Sequence, residues 1–134
     1  MKKFFILFLL LGILLVCACA KETKNTSSSA NTYRQISQAE AAEIMQQEKD
    51  YVILDVRTQE EYNEGHIPNA ICVPNELINS KQPAELPDKN QLILVYCRSG
   101  RRSKEAANKL AEMGYSNIVE FGGIIDWKGS IVKN

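Results

Sequence analysis

The chain of 134 residues has few of the residues on which metal-bound or disulfide-linked folds depend. It contains one histidine and four cysteines, and two of those cysteines, Cys17 and Cys19, lie in an apolar N-terminal segment. The remainder keeps only Cys72 and Cys97 and has no Cys-x-x-Cys pair. A zinc site and a disulfide framework are therefore not expected, and nothing in the sequence calls for a metal or a cofactor.

An excess of charge of one sign is also absent. The chain has 16 basic and 16 acidic residues, and without Lys2 and Lys3 it has 14 and 16, a formal charge of −2. A nearly neutral domain gives no general reason to expect binding to nucleic acid.

The N-terminus lacks an apolar run long enough for comfortable membrane spanning. The run from Phe4 to Val16 has thirteen residues, against about 20 for a spanning helix, and follows two lysines. This pattern is typical of a signal sequence. The end of the run resembles the lipobox of bacterial lipoproteins, with Cys19 as the lipidated residue. We therefore predict a signal peptide over residues 1–19 and a protein that is exported and lipid-anchored to the bacterial cell membrane.

Two alternatives stay open for this segment. Ala18-Cys19-Ala20 also fits an ordinary Ala-x-Ala cleavage site, which would release a secreted or periplasmic soluble protein. Extending the run to Ala20 gives seventeen residues and allows an uncleaved anchor. Residues 20–32 are polar and are predicted to form a flexible linker. Residues 33–134 are then sufficient for one domain with a single core.

Strand and helix patterns alternate along this domain, which predicts an α/β fold with a mainly parallel sheet. The central stretch runs from Leu92 to Gly114. Residues 92–96 form an apolar run typical of a strand buried on both faces, and Cys97 ends it. A short polar loop and a helical pattern follow, so Cys97 is expected at the carboxyl end of a strand beside a helix N-terminus, where open α/β sheets bind ligands.

The charges at this helix start differ from those at two other predicted helix starts. Ser37-Gln38-Ala39-Glu40 and Thr58-Gln59-Glu60-Glu61 are capping boxes with an acid at the third position. The helix after Cys97 opens instead with Arg101, Arg102 and Lys104, although cations there are unfavourable by about 0.3–1 kcal/mol. An anion in the loop explains this pattern. Since helix N-termini and neighbouring arginines favour a thiolate, Cys97 is the predicted nucleophile.

Several motifs together resemble a single rhodanese domain over about residues 33–131. The matching motifs are Val52-Ile53-Leu54-Asp55-Val56-Arg57, Glu60-Glu61-Tyr62, Gly65-His66-Ile67-Pro68-Asn69-Ala70, Cys97-Arg98-Ser99-Gly100-Arg101-Arg102-Ser103 and Gly122-Gly123-Ile124-Ile125-Asp126-Trp127. The resemblance implies a three-layer α/β/α fold with a central, mainly parallel five-stranded sheet. It also implies sulfur transfer through a persulfide on Cys97, cradled by the amides of Arg98 to Arg102.

The resemblance also assigns a donor- and persulfide-binding loop. Its residues are Arg98, Ser99, Gly100, Arg101, Arg102 and Ser103. Arg98 and Arg101 could hold thiosulfate oxygens, since a guanidinium matches oxyanion geometry. We interpret Arg102 as a surface or structural partner, and Ser99 as either a hydroxyl donor or a residue that tolerates the turn.

Four residues outside the loop are given supporting or structural roles. Asp55 and Arg57 are expected to orient neighbouring loops by hydrogen bonds, and His66 is expected to buttress the turn that follows Gly65. Cys72 is interpreted as a small core residue, with a resolving thiol as the alternative.

The leading prediction is a sulfurtransferase that moves sulfane sulfur from a donor such as thiosulfate to cyanide or a thiol. A non-enzymatic sulfur carrier, or a module that docks on a partner protein and passes sulfur to it, is the alternative. A phosphatase or arsenate reductase of the same fold is less favoured. Its loop follows Cys-x5-Arg, and Ser103 occupies the sixth position after Cys97. We expect a monomer that contacts the membrane only through its N-terminal lipid.

Overall fold

The computed structural model describes residues 32–134. The predicted signal peptide, and all but the last residue of the predicted linker, lie outside the described residues. The strands are β1 (Arg34–Gln35), β2 (Tyr51–Asp55), β3 (Ile71–Cys72), β4 (Leu92–Cys97) and β5 (Ile118–Gly123).

Three α-helices connect these strands: α1 (Gln38–Gln47), α2 (Gln59–Glu64) and α3 (Arg101–Glu112). Two single-turn 3-10 helices cover Asn75–Leu77 and Ile124–Asp126. None of the helices between residues 32 and 134 is long and apolar enough to cross a membrane.

The five strands form one sheet in the order β1-β5-β4-β2-β3, and every neighbouring pair is parallel. The predicted α/β class with a five-stranded parallel sheet is confirmed. Parallel neighbours need long crossover connections, which explains why strand and helix patterns alternate along the sequence.

Both faces of the sheet are covered by helices. On one face, Ile93, Val95 and Cys97 pack with α3 residues such as Leu110. On the other face, Leu94, Tyr96, Val119 and Phe121 pack with Ala41 of α1 and Tyr62 of α2. Successive residues of β4 therefore enter opposite cores, which accounts for its unbroken apolar run.

The end of β5 differs from the sequence-based expectation. The glycine pair after Phe121 predicts that residues 121–123 turn the chain out of the last strand, but the strand continues to Gly123. A Cβ atom at this position would lie 2.1 Å from the Arg98 carbonyl oxygen and 2.5 Å from Ser99 Cα. Gly123 therefore lets the backbone of β5 pack directly on the loop after Cys97, because it has no side chain to prevent this contact.

Candidate active site

Cys97 is the last residue of β4 and lies directly below a three-residue loop, residues 98–100, that leads into α3. The residue is only 1% exposed, whereas Arg98 and Ser99 of the loop are exposed. Gly100 has φ +104°, a left-handed conformation that turns the chain sharply into the helix. The sulfur is thus held beneath the loop at the helix N-terminus.

Two groups of this turn contact the sulfur. The backbone N–H of Gly100 donates to Cys97 Sγ at 3.0 Å, and the Ser103 hydroxyl oxygen lies 3.4 Å from the same sulfur. The resemblance assigns the amides of residues 98–102 to the cradle. In the described chain, the Gly100 N–H is the one of these that forms a hydrogen bond with Sγ.

The N-terminus of α3 has no side-chain cap, in contrast to the other two helices. The predicted capping boxes are confirmed at α1, between Ser37 and Glu40, and at α2, between Thr58 and Glu61. Since the first N–H groups of a helix have no intrahelical acceptor, the start of α3 presents free donors beside Cys97. Such an end favours an anion.

The three arginines after Cys97 have different surroundings. Arg102 forms a two-pronged ion pair with Glu61 at 2.7 and 2.9 Å. Its hydrogen bond lowers the pKa of Glu61 to about 2. Arg101 pairs with Glu105 at 2.7 Å on the exposed face of the helix. Arg98 takes no part in the ion pairs formed among residues 32–134, so its guanidinium is free for a ligand.

A cleft of about 410 Å³ lies beside the loop. This volume is within the range of small-molecule sites. Arg57 and Arg98 line it together with three apolar residues, Ile124, Ile125 and Ile131. Glu61 and Glu64 line it as well. Since Asp55 pairs with Arg57 and Arg102 pairs with Glu61, Arg98 is the cleft guanidinium best placed to bind an oxyanion.

Asp55 and Arg57 form a buried network that ties strand ends to the following turn. Their side chains pair at 2.7 Å, and Arg57 also donates to the Gly65 carbonyl at 2.7 Å. Burial acts to lower the pKa of Arg57, but the hydrogen bond and charge of Asp55 outweigh it and raise this pKa. The Tyr96 hydroxyl donates to Asp55 at 2.6 Å and accepts the Ile67 N–H at 3.1 Å. Sequence reasoning did not identify this role of Tyr96.

His66 is buried and packs in the turn where the sequence places it. Its ring stacks on Tyr62 with centroids 3.7 Å apart, and its Nδ1 lies 2.8 Å from the Tyr62 carbonyl oxygen. Its backbone also pairs with Val132, which holds the C-terminal segment along the rim of the cleft. His66 therefore supports this turn and the C-terminal segment, and its hydrogen bonds are to Tyr62 and Val132, not to the sulfur of Cys97.

Cys72 lies at the end of β3, and the structure keeps it apart from Cys97. Its sulfur faces the carbonyl oxygens of Arg57 and Thr58, at 3.6 and 3.9 Å. Burial, followed by the charge of Asp55, raises the pKa of this thiol to about 11. Within residues 32–134, no group of three or more His, Cys, Asp or Glu side chains is arranged to hold a metal ion.

Glu120 is a site residue that sequence reasoning missed. It lies in β5 and is 3% exposed, and its Oε1 accepts hydrogen bonds from the Ser103 hydroxyl at 2.6 Å and the Gly122 N–H at 2.9 Å. The sequence signal that could have identified it is a charged residue between Val119 and Phe121, within the apolar pattern of a buried strand. A buried carboxylate thus stands behind the residue that contacts Cys97.

Comparison with known proteins places this geometry in a family. The thiosulfate sulfurtransferase PspE of Escherichia coli is 38% identical over 73 residues, which cover 54% of this chain and 70% of that protein. The thiosulfate sulfurtransferase GlpE of Coxiella burnetii is 38% identical over 97 residues, 72% of this chain and 88% of that protein. A solved structure described as a rhodanese with anions from E. coli has a TM-score of 0.57 at 36% identity, covering 63% of this chain and 99% of that one. The family model of the rhodanese-like domain matches residues 37–130, and this chain belongs to that family.

Proposed function

We propose that the protein is a sulfurtransferase that carries sulfane sulfur as a persulfide on Cys97. The single observation that carries the proposal is the position of the Cys97 sulfur. It receives the Gly100 N–H at the uncapped N-terminus of α3. The names of the sulfurtransferase relatives, which share 38% identity, support the same assignment.

The proposed reaction has two transfers of one sulfur atom. The Cys97 thiolate attacks the outer sulfur of thiosulfate, a new S–S bond forms, and sulfite leaves with the electron pair of the broken bond. The product is Cys97–S–S⁻. Cyanide or a thiolate then attacks the outer sulfur of this persulfide, forming thiocyanate or a new persulfide and regenerating the Cys97 thiolate. The free N–H groups at the start of α3 stabilise the anionic outer sulfur.

The cleft residues give the donor its orientation. Arg98 lines the cleft and takes no part in the ion pairs formed among residues 32–134, so its guanidinium is placed to bind the sulfonate oxygens of thiosulfate. Arg57 also lines the cleft, but its guanidinium is already bound to Asp55 and to the Gly65 carbonyl. Arg101 is less suited, since Glu105 already neutralises it. Cys97 is 1% exposed, so the donor approaches its sulfur at the edge of the loop of residues 98–100, where Arg98 lines the cleft.

Intact mass spectrometry of the reduced full-length chain tests this proposal. Incubation with thiosulfate is expected to add one sulfur atom to the wild type and to the Cys72→Ser control. Cys97→Ser is expected to add none. Failure of the wild type to gain sulfur, or a gain that survives Cys97→Ser, would overturn the assignment.

The same material separates an enzyme from a sulfur carrier. An enzyme releases thiocyanate repeatedly when cyanide is added with thiosulfate, whereas a carrier keeps a stable persulfide and releases thiocyanate only slowly. Repeated turnover that depends on Cys97 supports the enzyme.

A further inference from the structure

The carboxylate of Glu120 lies in an interior strand, where a charged residue needs specific partners. In the sheet register Glu120 pairs with Gln35 of β1 and with Val95 of β4, neither of which is charged. Its Oε1 is hydrogen-bonded by the Ser103 hydroxyl and the Gly122 N–H. These contacts tie the carboxylate to the loop side of the sheet, toward Cys97.

Ser103 connects this carboxylate to the sulfur. Ser103 is fully buried, and its Oγ lies 2.6 Å from Glu120 Oε1 and 3.4 Å from Cys97 Sγ. The hydroxyl has one proton, and Glu120 is a closer acceptor than the Gly100 carbonyl at 3.0 Å. When the proton points to Glu120, the hydroxyl oxygen is left to accept from the thiol. The three groups then form a continuous chain from sulfur to carboxylate.

We infer that Cys97 and Glu120 share one proton through Ser103, so that only one of the two is negatively charged at a time. The inference rests on the proposed role of Cys97 as the sulfur-carrying nucleophile. Two negative charges connected by such a chain in a buried site repel each other strongly, so a charge on one group disfavours a charge on the other. Glu120 is a positioning residue in this arrangement, since it acts through Ser103.

The proton transfer balances without any other reactant. In the resting state Cys97 is a thiol and Glu120 a carboxylate. On activation the S–H bond breaks as Ser103 Oγ takes that proton, while the original Ser103 proton moves to Glu120 Oε1. The result is a thiolate beside a neutral carboxylic acid, and the net charge is unchanged. The resting thiol is the less oxidisable form of the cysteine, since the thiolate is the reactive species.

Other charged groups near the pair come from three elements. Arg102 of α3 interacts with Cys97 but is also neutralised by Glu61 of α2. Lys104 of α3 and Asp126, which follows β5, line a polar cleft together with Glu120. Of these charged groups, Glu120 is the one joined to Ser103 by a hydrogen bond in the described chain, at 2.6 Å.

Alkylation of the full-length chain by iodoacetamide across a pH series tests the inference without a sulfur donor. After trypsin digestion, Cys97 is found in the peptide of residues 90–98 and Cys72 in that of residues 58–81, so one digest reports both thiols. For wild type we expect the Cys97 rate to rise in two steps, and Cys72 serves as the internal control.

Glu120→Gln and Glu120→Asp are the paired variants. Glutamine can accept the same hydrogen bonds but cannot take a proton, so the Cys97 rate should rise in a single step. At pH 7 it should be about tenfold faster than in wild type, because the competing negative charge is gone. Aspartate keeps the charge and should keep two steps.

Three outcomes would overturn the inference: a single step in wild type, superimposed profiles of wild type and Glu120→Gln, or loss of the lower step in both variants. The first needs no variant, so poor folding of Glu120→Gln does not leave the question open. Failure of the proposed function appears separately, as absence of sulfur addition from thiosulfate while these profiles behave as expected.

Discussion

Cys97 and Cys72 both end a parallel strand of the same sheet, yet the structure gives their sulfurs opposite surroundings. Cys97 meets a backbone N–H and a serine hydroxyl at the start of a twelve-residue helix. Cys72 meets two carbonyl oxygens, and its pKa is raised to about 11 by burial and the charge of Asp55. The Gly100 N–H is a donor that stabilises a thiolate, whereas the carbonyl oxygens beside Cys72 accept only from a thiol.

This difference teaches that position at a strand end does not make a cysteine reactive. What distinguishes Cys97 is the element that follows it. A three-residue loop enters α3 with no side-chain cap, so the free N–H groups of the first turn are available to the sulfur. After Cys72 the chain enters a single 3-10 turn over Asn75–Leu77, which has no comparable set of donors.

Of the changes that test the difference between Cys97 and Cys72, Gly123→Ala is expected to have the largest effect. A Cβ atom there would lie 2.1 Å from the Arg98 carbonyl oxygen, so the loop over Cys97 must move. Misplacement of about 1 Å can lower activity on the order of 100-fold. Thiocyanate formation from thiosulfate and cyanide is expected to fall by that order, while the Cys72 alkylation rate stays at its wild-type value.

Gly114→Ala is the control for backbone strain. Gly114 follows the other end of α3, its Cβ atom would have space, with Lys89 Cδ 3.9 Å away, and its φ of +95° is unfavourable for alanine. The expected cost is a loss of about 1–2 kcal/mol in the free energy of unfolding, with thiocyanate formation close to the wild-type rate. Equal losses of activity in the two variants would show that general loss of stability, and not the packing of β5 on the loop, governs the site.

The sequence predicted the parts of this site that depend on near neighbours in the chain. The apolar run before Cys97 and the two capping boxes are local patterns, and the structure confirms the strand and both caps. The alternation of strands and helices was sufficient for the sheet type. The strand order β1-β5-β4-β2-β3 was not predicted, since it depends on which crossovers pack on which face.

The parts that were missed depend on contacts between distant elements. Glu120 and Ser103 are 17 positions apart, and they meet because β5 packs beside the start of α3. Gly123 was interpreted as part of a turn because glycine pairs usually mark turns, whereas here the absent side chain permits contact with the loop. The pairing of Arg102 with Glu61 likewise joins two helices that the sequence separates by 41 positions.

A smaller effect is expected at the ion pair between Arg102 of α3 and Glu61 of α2. Since Arg102 lowers the pKa of Glu61 from 4.5 to about 2, the pair stabilises the fold fully above pH 4.5. Its contribution is lost as the pH falls through about 2. Glu61→Gln preserves the capping box and removes the charge. At pH 7 we expect it to lower the free energy of unfolding by about 1 kcal/mol after solvent screening.

Urea denaturation of wild type and Glu61→Gln at pH 7 and at pH 2 checks this prediction. The difference between the two proteins should be largest at pH 7 and should diminish at pH 2. Glu105→Gln, which removes the exposed partner of Arg101, serves as the control and should produce little change at either pH. A Glu61→Gln difference that grows on acidification would contradict the assigned ion pair.

The smallest effect is expected from oxidation, which should not join the two cysteines. Cys72 and Tyr96 flank Asp55 in the sheet register, so their strands are separated by about 9–10 Å, two strand spacings. Cα atoms more than about 7 Å apart cannot be bridged without backbone movement. The two sulfurs also lie on opposite faces of the sheet. Ile71 packs in the core that contains Cys97, and the next residue of the strand, Cys72, points to the other face. After mild oxidation, a non-reducing tryptic digest should therefore contain no cross-link between residues 58–81 and 90–98. Such a cross-link in the folded protein would restore Cys72 as a resolving thiol and remove the functional difference between the two cysteines.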